Sequence, residues 1–243
     1  MTRELRVIPL EDIDEIEEGD DLAEHVAAAA RLEEGDVVVL AHKIVSKAEG
    51  RVLRLDELDA SPRALELAGD DDPRQVEAIL RESVRIVRAR PPLLIAETRH
   101  GFVCASAGVD ASNAPEAGTV VLLPLDPDAS AGWIRARLRE LAGCEVGVVV
   151  SDSFGRPFRQ GTTDVAIGVA GIRPLLDLRG TQDRNGYELR STQIAVADEI
   201  AGAAELVMGK TDGVPGAIVR GLDARGSGTA RELVLPAERD LFS

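Results

Sequence analysis

The stretch Val146-Gly147-Val148-Val149-Val150-Ser151-Asp152-Ser153 joins a strand signal to an acidic turn signal. Its valine run predicts a strand covered on both faces, because such strands read as continuous β-branched runs. Val37–Ala41 is a second run of the same kind. A second acidic turn, Gly108–Asn113, also follows a β-rich segment. The chain therefore places carboxylates at the ends of strands, where a fold can present oxygen ligands to a hard cation.

Helix and strand signals are mixed along the chain without a strict βαβ alternation, which favours an α+β fold over a doubly wound sheet. Apolar spacing predicts helices at Asp20–Leu32, after Ser61-Pro62, after Asp72-Pro73, around Ile134–Leu141 and at Ser191–Met208. Further predicted strands are Leu5–Pro9, Arg51–Leu55, Leu93–Glu97, Phe102–Ser106, Val120–Leu123, Val165–Val169 and Ala217–Arg220. Lys43–Gly50 is predicted to be a polar loop segment. Residues 1–243 are expected to form one functional region, with two subdomains and a weakly marked boundary.

The composition is that of an acidic globular protein. Of its 243 residues, 44% are hydrophobic and 29% are charged, and the net charge is −15. That charge argues against a nucleic-acid partner, because phosphate backbones need a basic face. No run approaches the ~18 apolar residues of a membrane span, and the first residues contain no apolar signal region. We therefore expect a cytoplasmic protein without a membrane partner.

Asp110 and Asp152, with the neighbouring Ser153 hydroxyl, are candidate metal ligands. Carboxylate and hydroxyl oxygens suit Mg²⁺ or Mn²⁺ better than Zn²⁺, which prefers His and Cys. Mg²⁺ bound in this way usually also holds the phosphates of a nucleotide. The alternative is that each aspartate only closes an Asx-type turn, as Asp and Asn often do. Two such turns, both following strand signals, favour the metal hypothesis more than either turn alone.

Lysine is rare in this chain, which contains only Lys43, Lys47 and Lys210. Lys47 follows a buried strand and could reach a phosphate as a compact charge, although an exposed loop lysine is the alternative. Gly209-Lys210-Thr211 resembles part of a P-loop, but Ala204 stands where the full pattern needs a glycine. Gly209–Gly213 could still offer backbone N–H groups and one ammonium to phosphates. The alternative is a helix C-cap, with Gly209 just past the helix end.

Arg156 and Arg159 flank Pro157-Phe158, beside the second acidic turn. Arginine binds carboxylates and phosphates through paired hydrogen bonds, so both residues are candidate substrate contacts. They could equally pair with carboxylates in a structural network. No Gly-x-Ser-x-Gly elbow or Cys–His pair indicates a covalent nucleophile. Cys104 and Cys144 lack metal-type spacing and are expected to be free thiols.

Six blocks of the sequence occur together in a characteristic order and spacing. They are Val45–Gly50, Gly108–Asn113, Leu125–Asp128, Ser151–Gly161, Ala197–Ile200 and Gly209–Pro215. In these blocks the chain resembles the coenzyme F420-0:L-glutamate ligase family, the γ-glutamyl ligases of deazaflavin cofactor synthesis, from Gly19 to Leu222. The resemblance implies a two-part α+β fold of mixed sheets and helices that forms an intertwined homodimer. It also implies a chain without the flavin-binding domain that is fused to some relatives.

The resemblance further implies an activity. Family members join L-glutamate to the carboxylate of coenzyme F420-0 by an amide bond while GTP is cleaved to GDP and phosphate. They then add further glutamates through γ-linkages. A divalent cation, Mn²⁺ or Mg²⁺, is required, and K⁺ assists. GTP, L-glutamate and coenzyme F420-0 are therefore the expected small-molecule partners.

The family pattern assigns roles to residues of this chain. Metal ligands fall on Asp110, Asp152 and Ser153, and catalytic roles fall on Asp110, Asp152 and Lys47. Nucleotide contacts fall on His42, Lys43, Lys47, Asn113, Gly209, Lys210, Thr211, Asp212 and Gly213. Arg156 and Arg159 are expected to orient the glutamate or the anionic tail of the acceptor. The chain departs from relatives at His42-Lys43, where they carry small hydroxyl residues, and at Lys210, where some carry an acidic residue.

Two other classes of function stay open at this point. A metal-dependent nucleotide phosphohydrolase could use the same acidic turns to activate water. In a non-catalytic nucleotide-binding module, the acidic turns would serve only as caps. An amide-forming ligase fits best, because phosphoryl transfer to a carboxylate needs positioning and charge neutralisation more than a protein nucleophile.

Overall fold

The computed structural model describes residues 4–240. In chain order the strands are β1 (Arg6–Pro9), β2 (Val37–Ala41), β3 (Val52–Arg54), β4 (Ser83–Arg90), β5 (Leu93–Thr98), β6 (Val103–Ala105), β7 (Thr119–Val121), β8 (Gly147–Arg156), β9 (Arg159–Ala170), β10 (Leu176–Asp177), β11 (Gln193–Ile194) and β12 (Gly216–Arg220). The helices are α1 (Leu22–Ala29), α2 (His42–Ala48), α3 (Pro62–Ala68), α4 (Pro73–Glu82), α5 (Pro127–Ala142) and α6 (Val196–Met208). None of these helices is long and apolar enough to cross a membrane.

A five-stranded sheet in the order β1-β12-β2-β8-β9 forms the centre of the fold. Strands β2 and β8 run parallel, with Val37 opposite Gly147 and Ala41 opposite Ser151. The other neighbours in this sheet are antiparallel. Because β2 ends opposite Ser151 of β8, the start of α2, which directly follows β2, lies beside Asp152. The topology thus positions the first turn of a helix at the second acidic turn.

Helices cover both faces of the central sheet. On one face, α1 and α5 pack against the strands, and Ile134 of α5 belongs to the same core as Val148 of β8. On the other face, α6 packs against the strands, and its Ile200 belongs to the same core as Val149 of β8. Successive residues of a strand point to opposite faces. A strand covered on both sides therefore has no polar position, which explains the continuous valine runs and confirms both predicted strands.

A third core lies outside the central sheet. It is formed by α3, α4 and the sheet β4-β5-β6, with residues between Leu55 and Leu122. Strands β3 and β7 pair with each other in the same part of the chain. Ser61 and Asp72 cap the two helices, each with proline at its start, as predicted. The mixture of sheets and helices confirms the α+β class, whereas the division into two subdomains stays a prediction.

Two local predictions are wrong. Lys43–Gly50 is not a polar loop, because α2 spans His42–Ala48 and buries Ile44, Val45 and Lys47. The β-branched residues there have low helix propensity, so tertiary burial decides the conformation. The helix predicted from Ser191 begins only at Val196, because Gln193–Ile194 pairs with Leu176–Asp177 as a strand.

The hairpin β8–β9 is longer than the sequence predicts. The valine-rich segments form only its buried halves, and the strands continue to Arg156 and back from Arg159. Their register shifts between Val150 and Ser151, just before Asp152. Asp152 therefore lies within a strand, at the point where burial ends, and not in a turn after it.

Candidate functional site

A cleft, hereafter the charged cleft, lies where β2 ends beside the middle of β8. Its volume is about 270 Å³, and separate parts of the chain contribute to its walls. The lining residues that the sequence also singles out are His42, Lys43, Lys47, Asn113, Asp152, Ser153, Gly209, Lys210, Thr211 and Gly213. Asp110 adjoins the charged cleft, because Lys43, which lines the cleft, pairs with it. Asp212 adjoins the cleft as part of the Gly209–Gly213 loop, whose other residues line it.

The first turn of α2 connects the two candidate metal aspartates. Lys43 Nζ donates to Asp110 Oδ2 at 2.7 Å and to Ser112 Oγ at 2.6 Å. His42 is 1% exposed, and its Nε2 lies 3.3 Å from Asp152 Oδ1. Since His42 and Lys43 are consecutive, both aspartates face one turn of the helix. The two acidic turns, forty residues apart in the chain, therefore belong to one site.

Asp110 is held in its ionised form. Burial raises its pKa, but the Lys43 ammonium and the hydrogen bonds from Ser112 outweigh burial, so the pKa of Asp110 lies below its usual range. Ser112 N donates to Asp110 Oδ1 at 2.7 Å. The Asx-type turn considered as the alternative does form, and it coexists with the Lys43 ion pair.

Asp164 is a candidate that the sequence analysis missed. It is 5% exposed, lines the charged cleft, and accepts hydrogen bonds from Ser151 Oγ at 2.8 Å and Ser153 Oγ at 2.6 Å. The register of the hairpin places it directly opposite Ser153. A signal was present in the sequence, because Asp164 immediately precedes the valine-rich segment that pairs with β8. The Ser153 hydroxyl is thus oriented by a buried carboxylate.

Lys47 is not an exposed loop lysine. Helix α2 leaves it only 8% exposed, and its Nζ donates to Glu15 Oε1. Glu15 is itself largely exposed and belongs to the segment Ile13–Ile16, which also lines the charged cleft. A nearly buried ammonium at the wall of a cleft is a concentrated positive charge, because the surrounding protein screens it less than water would.

The loop from Gly209 forms a helix C-cap and also lines the charged cleft, which were the two alternatives that the sequence left open. Gly209 ends α6 at φ 58°, in the left-handed region that favours glycine, and its N–H donates to Glu205 O. The C-cap is therefore present. Lys210 and Thr211 nevertheless line the charged cleft, so the same loop presents its polar groups to a ligand.

Arg156 and Arg159 lie outside the lining of the charged cleft, where they pair with each other near the tip of the β8–β9 hairpin. Arg156 Nη2 donates to Gln160 O at 2.9 Å. Arg156 Nε is buried, and no hydrogen-bond partner for it exists within residues 4–240. The structure therefore does not bring these arginines to the carboxylates and lysines of the cleft.

The donor set fits a hard divalent cation that shares its ligands with a substrate. Across residues 4–240, no three or more His, Cys, Asp or Glu side chains are close enough together to hold a metal ion. Asp110, Asp152 and Ser153 offer oxygen atoms, which Mg²⁺ and Mn²⁺ prefer. Mg²⁺ beside a nucleotide commonly uses one or two carboxylates, and phosphate oxygens and water supply the remaining ligands.

Comparison with known proteins agrees with this geometry. The family model described as F420-0:Gamma-glutamyl ligase matches residues 12–221. A coenzyme F420:L-glutamate ligase of Methanopyrus kandleri is 50% identical over 249 aligned residues, covering 99% of this chain and 98% of the relative. A protein of the same name from Methanothermobacter thermautotrophicus is 47% identical, covering 92% and 93%. Another from Archaeoglobus fulgidus is 44% identical, covering 98% and 96%.

The fold, the charged cleft and these relatives together define an α+β enzyme of the amide-forming ligase class. Its site consists of carboxylates, hydroxyls and lysines. The chain belongs to the F420-0:gamma-glutamyl ligase family.

Proposed function

We propose that this chain is a GTP-dependent ligase that joins L-glutamate to coenzyme F420-0 by an amide bond and then adds γ-linked glutamates. The composition of the charged cleft is the observation that carries the proposal, because carboxylates, hydroxyls and lysines converge there from separate chain segments. The acid and the amino acid are those named for the relatives. The ligand set suits phosphoryl transfer, which needs positioning and charge neutralisation.

The nucleotide phosphates are proposed to lie between the two walls of the cleft that carry Lys47 and Lys210. A net charge of −15 repels a nucleotide at long range, so local cations must reverse the field. Lys47 currently bonds Glu15, whose exposed carboxylate a phosphate oxygen would replace. The backbone of Gly209–Gly213, which includes Thr211 and Asp212, and the Asn113 amide complete the proposed nucleotide contacts. Lys43 contributes mainly through Asp110, to which it donates, and His42 through its position 3.3 Å from Asp152.

Asp110, Asp152 and Ser153 are proposed to hold Mn²⁺ or Mg²⁺, with K⁺ assisting nearby. The divalent cation, when bound, neutralises phosphate charge and orients the transferred group. The low pKa of Asp110, which the Lys43 ammonium and Ser112 maintain against burial, keeps that ligand ionised. Asp164 accepts a hydrogen bond from the Ser153 hydroxyl, which leaves the lone pairs of Ser153 Oγ available to a cation.

The proposed chemistry passes through an acyl phosphate. A carboxylate resists amine attack because its oxygen is a poor leaving group. Transfer of the γ-phosphate from GTP to the acceptor carboxylate forms the acyl phosphate and GDP. The amine of glutamate then attacks the acyl carbon, phosphate leaves, and the amine gives up a proton as the amide forms. Lys47 counters the charge that develops on the phosphate oxygens.

Arg156 and Arg159 are proposed to bind the carboxylates of glutamate or of the acceptor tail. Their guanidinium groups can bind carboxylates through paired hydrogen bonds, and Arg156 Nε has no hydrogen-bond partner within the described part of the chain. The hairpin that carries them has an exposed tip, where Phe158 is 90% exposed. A homodimer, as the family resemblance implies, would cover such a tip. Light scattering of the purified chain measures this, and a monomer at micromolar concentration would contradict the dimer.

The decisive experiment combines the purified chain with coenzyme F420-0, L-glutamate, GTP and Mn²⁺, and follows the acceptor by mass spectrometry. Growth of the acceptor by glutamyl increments, together with GDP release, is the expected result. Growth should stop when GTP, glutamate or the divalent cation is omitted. ATP in place of GTP tests the nucleotide, and the number of increments gives the length of the added chain.

Other outcomes identify the rival functions. Steady GTP cleavage without glutamate and without acceptor would indicate a metal-dependent phosphohydrolase. Nucleotide binding without turnover of any acceptor would indicate a binding module. Either result would contradict the proposal.

A further inference from the structure

A second cleft, hereafter the apolar cleft, lies along the β8–β9 hairpin next to the charged cleft. Its volume is about 550 Å³. Its walls include Phe102 and Val103 at the start of β6, Phe154 of β8, Val165 of β9 and the C-terminal segment Leu233–Pro236. A volume in this range, with mostly apolar walls, is typical of a site for a small organic molecule. None of the roles assigned above uses it.

The two clefts meet at one strand pair. Asp152 lines the charged cleft, and its ladder partner Val165 lines the apolar cleft. Phe154 follows Asp152 by two residues and also lines the apolar cleft. Opposite residues in an antiparallel pair are ~5 Å apart. A single small molecule can therefore occupy the apolar cleft and extend one end to the carboxylates of the charged cleft.

Aromatic side chains are concentrated in the apolar cleft. The chain has only four phenylalanines, one tryptophan and one tyrosine. Phe102 and Phe154 nevertheless meet edge to face in this wall, with ring centroids 6.2 Å apart. His100 stacks on Phe102 at 5.6 Å. Aromatic faces and edges are favourable surfaces for another planar ring.

A few polar groups at the apolar cleft provide orientation. Asp198 lines it, and Asp198 Oδ1 accepts from Ala166 N at 3.0 Å. Burial raises the pKa of Asp198 above its usual range. Arg85 and Glu97 form an ion pair at another part of the wall. Such isolated polar groups in an apolar wall fix the orientation of a ligand that has hydrogen-bonding edges.

We propose that the apolar cleft binds the planar heteroaromatic ring of the carboxylate acceptor, so that the tail of the acceptor brings its carboxylate to Asp152 and Ser153. This inference rests on the proposed ligase function, and it assigns a binding site to one of the substrates. In this assignment the apolar cleft binds the ring, and the reaction takes place in the charged cleft. Glutamate has no ring, and the nucleotide is assigned to the charged side because Lys47 and Lys210, the proposed phosphate contacts, line that cleft.

A ring is a better occupant than a second copy of the chain. Sixteen residues line the apolar cleft, whereas a stable interface uses ~20–30 residues from each side. Its concave shape, and the ladder pair Asp152–Val165 that places one residue in each cleft, suit a ligand that reaches both. The second copy remains an outcome that the experiment below detects.

The test is a substitution that adds bulk to the apolar cleft and leaves the lining of the charged cleft unchanged. Val103 lines it and is 49% exposed in β6, so Val103→Trp adds an indole at little cost to packing. Leu93→Trp is the matched control, because Leu93 is 52% exposed in the neighbouring strand β5 and does not line either cleft. The probe is the tail-less deazaflavin riboside, which lacks a carboxylate and phosphate, with binding followed by its fluorescence.

Val103→Trp should weaken binding of this probe, and raise the KM for coenzyme F420-0, by about tenfold or more, equivalent to ~1.4 kcal/mol. The KM values for GTP and glutamate should stay within about twofold. Leu93→Trp should leave all of these quantities unchanged. Unaltered probe binding in Val103→Trp overturns the inference, as does an equal loss in Leu93→Trp.

Two further results separate the possible failures. A change of oligomeric state in Val103→Trp with unaltered probe affinity would show that the apolar cleft is an interface between copies, and would overturn the inference. A wild-type chain that binds the probe but never glutamylates coenzyme F420-0 would refute the proposed function alone. In that case the comparison of probe affinities between Val103→Trp and Leu93→Trp still decides the ring site.

Discussion

The charged cleft and the apolar cleft use the same strand pair in opposite ways. Ser153 and Asp164 face each other across the ladder and supply oxygen atoms to the charged cleft. Phe154 and Val165, each next to one of them in sequence, supply carbon surface to the apolar cleft. One hairpin thus separates charge from apolar surface over adjacent residues. The difference indicates that reaction and ring recognition are separable, so substitutions in one cleft should spare the other.

Asp152→Asn should have the largest effect on turnover. The substitution keeps the shape of the side chain but removes the negative charge that the proposed cation requires. We expect kcat to fall by at least about 10²-fold, the scale for losing one preorganised electrostatic group. Binding of the tail-less ring to the apolar cleft should stay within about twofold. Single-turnover glutamylation and fluorescence titration of the same preparation measure both quantities.

Asp56→Asn is the matched control for this variant. Asp56 is an exposed aspartate that pairs with Arg54 and lines neither cleft, so its removal should leave turnover unchanged. If Asp152→Asn retained full activity with Mn²⁺ and with Mg²⁺, Asp152 would not be a metal ligand. If ring binding fell in parallel with turnover, the proposed separation of the clefts would be wrong.

Lys47→Met should have the next largest effect. Methionine keeps the length and apolar stem of the side chain but removes a nearly buried ammonium. We expect kcat/KM for GTP to fall by about 10–100-fold, because a poorly screened charge contributes more than an exposed one. Lys210→Met removes an exposed ammonium from the opposite wall of the charged cleft and should cost less. The reverse order of the two losses would contradict the role given to Lys47.

The sequence predicted the central elements of the fold because their physics is local. Val37–Ala41 matches β2 at both ends, since a strand buried on both faces must be apolar throughout. Helix α2 could not be predicted in the same way. Its residues Ile44 and Val45 favour strands, and only contact with the central sheet and with other helices makes a helix there more stable.

The two clefts differ in how far the sequence reveals them. Aspartates and lysines near glycines carry a chemical signal, and with the family resemblance ten of the 22 residues that line the charged cleft were singled out from the sequence. Asp164 was missed because its importance depends on the hairpin register that sets it opposite Ser153. The apolar cleft could not be predicted from the sequence, for a related reason. Its apolar side chains, such as Phe102 and Val165, are indistinguishable from core residues until the fold leaves a gap between them.

Asp164→Asn should have a moderate effect, exerted through Ser153. An amide still accepts one hydroxyl hydrogen bond, but it carries no negative charge and cannot accept through its nitrogen. Loss of a group that orients a metal ligand typically costs 10–100-fold in metal affinity, so we expect about tenfold here. The dependence of the unfolding temperature on Mn²⁺ concentration measures this without reference to activity. An unchanged Mn²⁺ midpoint would show that Asp164 only supports the hairpin.

Cys104→Ala should have the smallest effect on turnover, within about twofold, since no reaction step uses the thiol. Cys104 follows Val103, which lines the apolar cleft, and is 6% exposed. Burial, with a smaller contribution from the Asp152 charge, raises the pKa of its thiol from an ordinary value of 9.0 to about 12.

The same pKa predicts a pH dependence of stability with a definite sign. The unfolded chain loses the Cys104 proton near pH 9, whereas the folded chain keeps it until about pH 12. Between these values the folded state binds more protons, so the free energy of unfolding falls as pH rises, by up to about 1.4 kcal/mol per pH unit. Urea unfolding from pH 8 to 10.5 should show a steeper fall in the wild type than in Cys104→Ala. The difference isolates this thiol, because lysines, tyrosine and Cys144 titrate in both proteins. Parallel curves would mean that water reaches the Cys104 thiol in the folded chain, and would contradict its raised pKa.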